Sequence, residues 1–291
     1  MTQKIEIRKI HPLFGAELVG LRADLPLDDD TLALLRRAFA DYRLLVVRDF
    51  DCDARFQDYF SQALIGNEAG AKNALECDVP FEMYVSNKRE RSSAPFGRLM
   101  FHADMMWAED GYQLLSLYGI EVDQPAVPTL FASTIDAWKT LAPELRAKVR
   151  KLSAVHGHDA TAMRRRLDGQ VLVSNFEVDS QVAMPVARRH PRTGETMLYV
   201  SEQMTCRIEE LDSEDSETLL EQLFNHLARD EAIVEHHWRK NDLVLWDNVA
   251  LQHARPNVST DGPARTLRKV FAPHATAREK TPVFSRASVG S

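Results

Sequence analysis

Apolar and polar residues alternate over positions 4–8, where Ile5 and Ile7 sit between Lys4, Glu6 and Arg8; that period of two predicts a half-buried strand. From 30 to 42 the period changes. Leu32, Leu34, Leu35 and Phe39 fall at helical spacing behind an Asp-rich start, which predicts an N-capped helix. LLVVRDF at 44–50 is a short β-branched run of the kind a buried strand carries, and DARFQDYFSQAL at 53–64 is helical again. Between 65 and 100 the periodicity dissolves into IGNEAGAKN, a strand-like FEMYVSN and the polar KRERSSAPFG. A stretch of that length without regular pattern predicts a mobile active-site loop over about 66–100.

Strand-like runs return at 114–122 and 129–132, followed by a helix from about 134 to 150 that Pro143 interrupts. Short β runs follow at 152–156, 182–188, 196–200, 232–238, 242–247 and 265–272, with one amphipathic helix at 215–229. Many short strands separated by turn signals favour a sandwich or barrel over a doubly wound sheet. The expected class is therefore mainly β with flanking helices. No internal repeat and no linker tract divides the chain, so one domain over 1–291 is expected, with a flexible tail at about 280–291.

Composition narrows the function. The 36 Lys and Arg against 43 Asp and Glu give a net charge of −7, which argues against a nucleic-acid partner, whose phosphates would need a basic surplus. No apolar run approaches the roughly 20 residues that span a bilayer, and the start MTQKIEIRKI lacks the apolar stretch of a signal peptide. A cytoplasmic protein with no membrane partner is expected. Three widely spaced cysteines, Cys52, Cys77 and Cys206, build neither a disulfide framework nor a zinc knuckle.

Chemistry concentrates in three places. In FHADMMW at 101–107, His102 and Asp104 lie two apart, so in an extended segment an imidazole and a carboxylate share one side. DLVLWDNVALQHARPNV at 242–258 is an apolar strand, a turn at Asp247 and Asn248, and a second extended piece opened by His253. Two histidines and a carboxylate, a near pair plus a distant single, form the ligand set of the non-haem Fe(II) facial triad, which leaves coordination positions open. In PARTLRKVF at 263–271, Arg265, Leu267 and Lys269 share one strand face, and Thr266, Arg268 and Val270 the other. A guanidinium held there can fork onto a carboxylate.

With these residues in view, the chain resembles the Fe(II)- and 2-oxoglutarate-dependent taurine and aryloxyacetate-herbicide dioxygenases, from about residue 5 to 275. The resemblance runs through VSN at 85–87, FHAD at 101–104, PTLFAS at 128–133, HPRTGETMLYV at 190–200 and HWRKNDLVLWDN at 237–248. It implies a double-stranded β-helix, the jelly roll of the cupins. It also implies His102, Asp104 and His253 as iron ligands, catalysis with O2, and Arg265 and Thr129 holding the distal carboxylate of 2-oxoglutarate. Lys269 falls where taurine enzymes use an arginine for the sulfonate, and a one-residue slip would give either basic role to Arg268. The family commonly forms homo-oligomers, dimers or tetramers.

Departures bear on substrate. Val249 stands where the family has an arginine after Trp-Asp-Asn, and Arg98 where taurine enzymes have an asparagine. These point to an oxidoreductase that hydroxylates or cleaves a small anionic organic molecule other than taurine, releasing succinate and CO2. Tyr84, Asn87, Arg98, Phe101, Met106, Arg268 and Lys269 are the candidate substrate contacts, with alternate members of Met105, Met106 and Trp107 walling the pocket. Asp247 and Asn248 serve either to steady the metal ligands or only to make a turn. His156 and His158 are expected to face solvent or the pocket. The competing readings are a zinc hydrolase on the same three ligands and a non-catalytic jelly-roll binding protein.

Overall fold

The computed structural model describes residues 3–78, 83–108, 111–158, 160–161, 181–273 and, for the backbone, 284–285. LLVV at 44–47 and LVLWD at 243–247 are unbroken apolar runs because both of their faces are covered. Leu44 and Val46 turn one way, into a core shared with Val244 and Trp246; Leu45 and Val47 turn the other way, into a core shared with Leu243 and Leu245. These strands lie in a seven-stranded sheet, in the order Glu6–Lys9, Ala16–Val19, Leu44–Val47, Leu243–Asp247, Leu114–Val122, Arg265–Ala272, Met83–Ser86. Its pairings are antiparallel except for Ala16–Val19 beside Leu44–Val47.

A second sheet has four strands, ordered Ile233–His236, Thr129–Ser133, Leu251–Val258, Gly97–His102. Its inward residues, among them Phe131, Val234 and Leu251, join the inward residues of the larger sheet in one central core. Two antiparallel sheets closed over a shared core give the jelly roll that the strand pattern predicts. Its outer faces are covered by helices. Asp29–Tyr42 and Ala54–Leu64 bury Leu35, Phe39, Phe56 and Phe60 against the larger sheet, and Ser213–Leu227 buries Leu220, Leu223 and Leu227 against the smaller.

The helix starts follow from capping. Asp28 and Asp53 accept the Thr31 and Phe56 backbone N–H groups at 3.1 and 2.7 Å, satisfying donors that a helix leaves open. Pro143 divides the 134–150 segment as expected, into Thr134–Thr140 and Pro143–Val149. The expectation of a loop over 66–100 needs correction. That stretch carries a helix, Glu68–Glu76, and the strands Met83–Ser86, Arg91–Ser92 and Gly97–His102; residues 79–82 lie outside the described ones. Of the tail expected at 280–291, only the Phe284–Ser285 backbone is described, paired with Arg91–Ser92. Among the described residues no helix is long and apolar enough to cross a membrane.

Candidate active site

His253 and His102 are directly opposite each other on neighbouring strands of the smaller sheet, so both imidazoles project from its inward face. Their ring centroids are 4.2 Å apart. Asp104, two residues beyond His102, brings its Oδ1 to 3.2 Å from His102 Nε2 and 3.8 Å from His253 Nε2. One ligand atom from each of the three residues lies within 4.8 Å of the others. His102 Nδ1 donates to the Met100 carbonyl at 2.7 Å, which leaves Nε2 as the lone-pair nitrogen on the side of the cluster. Burial, and then the neighbouring His102, push His253 well below its ordinary value, so its imidazole is neutral. Burial works to raise the Asp104 carboxyl, but Lys269, His102 and His253 together hold it well below the usual carboxylate range. The His102 Nε2 turned toward the cluster, the neutral His253 imidazole and one ionised carboxylate fit Fe(II).

Asn248 holds the carboxylate in place through the main chain. Its Oδ1 accepts the Asp104 N–H at 3.0 Å, and its Nδ2 donates to the Asp104 and Tyr112 carbonyls at 2.8 and 3.0 Å. The next residue, Met105, has φ 62, a left-handed conformation that costs a side-chain-bearing residue about 1–2 kcal/mol. The clamp therefore acts beside a bend that the chain adopts at a cost. Asp247 anchors the turn that carries Asn248 by accepting the Val249 and Ala250 N–H groups, and its carboxylate pairs with His190 and Arg192. Val249 leaves no arginine at its own position, and the cation beside Asp247 comes from the 190–195 turn instead.

The larger sheet contributes two of the cations. Arg265 donates from Nε to the Val127 carbonyl and from Nη2 to Thr129 Oγ1, each at 3.0 Å. Lys269, four residues on and on the same face, pairs its ammonium with Asp104 Oδ2. Arg255 faces the same space from the smaller sheet and donates to the Ala94, Phe96 and Gly97 carbonyls at 2.8–2.9 Å. Burial lowers Arg255 to about 10; burial, and then the charge of Arg255, lower Arg265 well below its ordinary value. Among the described residues neither guanidinium pairs with a carboxylate. The triad, Thr129, Arg265, Lys269 and Arg255 open on one cavity of about 130 Å³. At roughly 30 Å³ per water that is room for about four waters, or one small organic group.

The other expected contacts sort differently. Asn87 donates to the Ser259 and Pro263 carbonyls and accepts the Arg265 N–H, so it shapes the chain leading to Arg265 and does not line the cavity. Tyr84 lies under the Arg89 guanidinium at 3.7 Å, Arg98 is half-buried, and neither lines the cavity. Arg268 points to the opposite side of its strand, where it donates to Gln57 Oε1 at 2.7 Å and the Cys52 carbonyl at 3.0 Å. Met105 and Trp107 line the cavity, while Met106 lines a second hollow behind the same segment. Phe101 belongs to the outer core under the helices. His158 does line the cavity; His156 is fully buried, bonded to Thr205 Oγ1, and faces neither solvent nor pocket.

Two residues in the site escaped the sequence reading. Arg255 is two positions after His253 on the same strand, and the period-two rule that pairs His102 with Asp104 would have placed it inward. Trp238 donates its indole N–H to Thr129 Oγ1 at 2.9 Å. Nothing in its spacing signals that contact, which depends on how two distant strands pair.

Comparison with known proteins bears on the same residues. The family described as "Taurine catabolism dioxygenase TauD, TfdA family" matches residues 6–271. An alkylsulfatase of Acinetobacter baylyi is 24% identical over 88% of this chain and 81% of its own length. An (S)-phenoxypropionate/alpha-ketoglutarate dioxygenase of Sphingobium herbicidovorans is 27% identical over 87% of this chain and 90% of its own. The crystal structure of a taurine dioxygenase from Burkholderia xenovorans superposes with a TM-score of 0.71 at 25% identity, covering 92% of this chain and 90% of that one. These matches leave the zinc-hydrolase and non-catalytic readings without support. Because the match takes in both sheets and every ligand of the metal cluster, the chain belongs to the taurine catabolism dioxygenase TauD, TfdA family, as a dioxygenase that works with Fe(II), 2-oxoglutarate and O2.

Proposed function

We propose that the enzyme oxidises a small organic acid other than taurine, one with an apolar body and an anionic head. His102, Asp104 and His253 hold Fe(II), and Arg265 with Thr129 takes the distal carboxylate of 2-oxoglutarate. When bound, Fe(II), 2-oxoglutarate and O2 supply the oxidising chemistry, and the cosubstrate leaves as succinate and CO2. The protein binds, orients and excludes water. Lys269, beside the metal ligands, is the cation nearest to where a substrate's anionic head would lie, while Met105, Trp107, Leu117 and Met204 offer its body an apolar wall.

The observation that carries this reading is the charge of the cavity. Arg255, Arg265 and Lys269 line the cavity with a single carboxylate, Asp104, which Lys269 already pairs with, and two buried guanidiniums without a counter-charge favour anionic occupants. The two relatives are named for an alkylsulfatase activity and for phenoxypropionate. Both names describe an anionic head on an apolar body. The same proposal has the enzyme working in the cytoplasm as a single-domain homo-oligomer, a dimer or tetramer, on a small molecule with no nucleic acid or membrane as partner; the acidic net charge of −7 supports the absence of a nucleic-acid partner.

The test is succinate release from 2-oxoglutarate by anaerobically Fe(II)-loaded enzyme across alkyl sulfates, sulfonates, aryloxy acids and their neutral amides, with His102→Ala as blank. Acids with apolar bodies are expected to stimulate succinate and the amides to fail. Equal stimulation by acid and amide, or a preference for taurine, would sink the proposal.

A further inference from the structure

Trp238 has no part in the roles assigned so far, yet it sits against the two residues proposed to hold the cosubstrate. Its indole is 1% exposed, its N–H donates to Thr129 Oγ1 at 2.9 Å, and its ring faces the Arg265 guanidinium with the central carbon 5.8 Å from the ring centre. Thr129 Oγ1 also accepts from Arg265 Nη2 at 3.0 Å. A threonine hydroxyl has two lone pairs and one proton. Both lone pairs are therefore occupied by N–H donors, and the hydroxyl has only its proton left to give.

Among the described residues nothing accepts that proton. Arg265 is in a similar position: Nε and Nη2 are used, and Nη1 donates to no described residue. Thr129 and Arg265 both line the cavity, so its far end presents donors with no matching acceptor. A buried donor left unpaired is costly, and the ligand that removes the cost is one whose nearby atoms only accept. A carboxylate qualifies. A carboxamide does not, because its NH2 would face a donor it cannot satisfy.

We infer that Trp238 is a positioning residue that fixes Thr129 as an obligate hydrogen-bond donor, and so makes the far end of the cavity select a carboxylate over a group that itself donates. The inference rests on the reading of Thr129 and Arg265 as the cosubstrate end. Without the indole N–H, the Thr129 oxygen regains a free lone pair and can turn to accept from an amide. Phenylalanine at 238 would keep a ring in the same core and lose only the donor and part of the volume, which separates the hydrogen bond from the packing.

The experiment is calorimetric titration of Mn(II)-loaded protein, which binds without turnover, using 2-oxoglutarate and its analogue with a carboxamide in place of the distal carboxylate. Trp238→Phe is expected to weaken 2-oxoglutarate by about three- to tenfold, the range of one lost hydrogen bond, and to narrow the acid-to-amide ratio. In a Thr129→Val background the same substitution is expected to change nothing further. Should Trp238→Phe fold poorly, the benzothienyl analogue of tryptophan placed at 238 keeps the shape, lacks the N–H, and is expected to give the same two shifts. An unchanged ratio in either variant, or an effect that adds to that of Thr129→Val, would overturn the inference. If Thr129→Val and Arg265→Gln themselves bind 2-oxoglutarate like the wild type, it is the cosubstrate reading of this end that fails.

Discussion

Asn248 shows how one side chain can govern a metal site without touching the metal. It takes both main-chain groups of Asp104 and ties them to the Tyr112 carbonyl, immediately before the left-handed Met105. Its sequence context allowed a turn role or a supporting one, because Asp-Asn pairs make turns everywhere; only the pairing of distant strands brings it to Asp104. Asn248→Ala is expected to lower Mn(II) affinity about 10–100-fold, the usual cost of losing a group that orients a ligand. Metal titration followed by electron paramagnetic resonance checks this, and wild-type affinity in the variant would leave Asn248 as a turn residue only. His156 gives a second prediction, on pH. Burial pushes it from 6.5 down to about 3, so between those values the unfolded chain binds a proton that the folded one refuses. Stability must then fall as pH drops through that window, by up to about 1.4 kcal/mol per pH unit from this residue. Chemical denaturation between pH 4 and 8, an interval chosen to bracket the transition at roughly 6.5, should give a shallower acid limb for His156→Gln than for the wild type.

At the scale of elements, the Arg265–Ala272 strand was legible face by face. Arg265 and Lys269 reach the cavity while Arg268 turns to the helices, as simple alternation requires. The slip that would have exchanged Arg268 and Lys269 does not occur, because the irregularity beside this strand falls on its neighbour: Thr266 pairs with Glu121 and Leu267 with Gly119, so Ile120 is the extra residue. The helix Glu68–Glu76 was not legible, and for a physical reason. Only Ala71 and Ala74 are buried in it, and two small residues make no stripe. Arg268 has the stability role its position implies, with the guanidinium bonding Gln57 and Cys52 under the Ala54–Leu64 helix. Arg268→Met should cost about 1.5–3 kcal/mol, the range for a hydrogen bond to a charged group, while 2-oxoglutarate binding stays at the wild-type level. Denaturation midpoints and calorimetry separate the two effects, and a large loss of cosubstrate affinity would return Arg268 to the site.

Across the whole molecule, the site is divided between the two sheets. His102, His253 and Thr129 come from the four-stranded sheet, with Asp104 just beyond its Gly97–His102 strand, and Arg265 and Lys269 come from the seven-stranded one. The fold class could be read from strand count and spacing, but this division could not, since it depends on which strands face each other across the core. It has a thermodynamic consequence. A ligand held at one end by the metal cluster and at the other by Arg265 ties the sheets together, and whatever binds only the folded state stabilises it by mass action. At a 2-oxoglutarate concentration about 100 times its dissociation constant, the gain is about 2.7 kcal/mol over the Mn(II)-loaded protein. If the cosubstrate also ligates the metal held by His102, Asp104 and His253, the gain with both should exceed the sum of the two separate gains. Arg265→Gln should keep the metal increment and lose the cosubstrate increment, His102→Ala should lose both, and a chelator should return the wild type to its metal-free melting temperature. If 2-oxoglutarate stabilised Arg265→Gln as much as the wild type, its distal carboxylate would have to bind elsewhere, and the two sheets would not be joined through the cosubstrate.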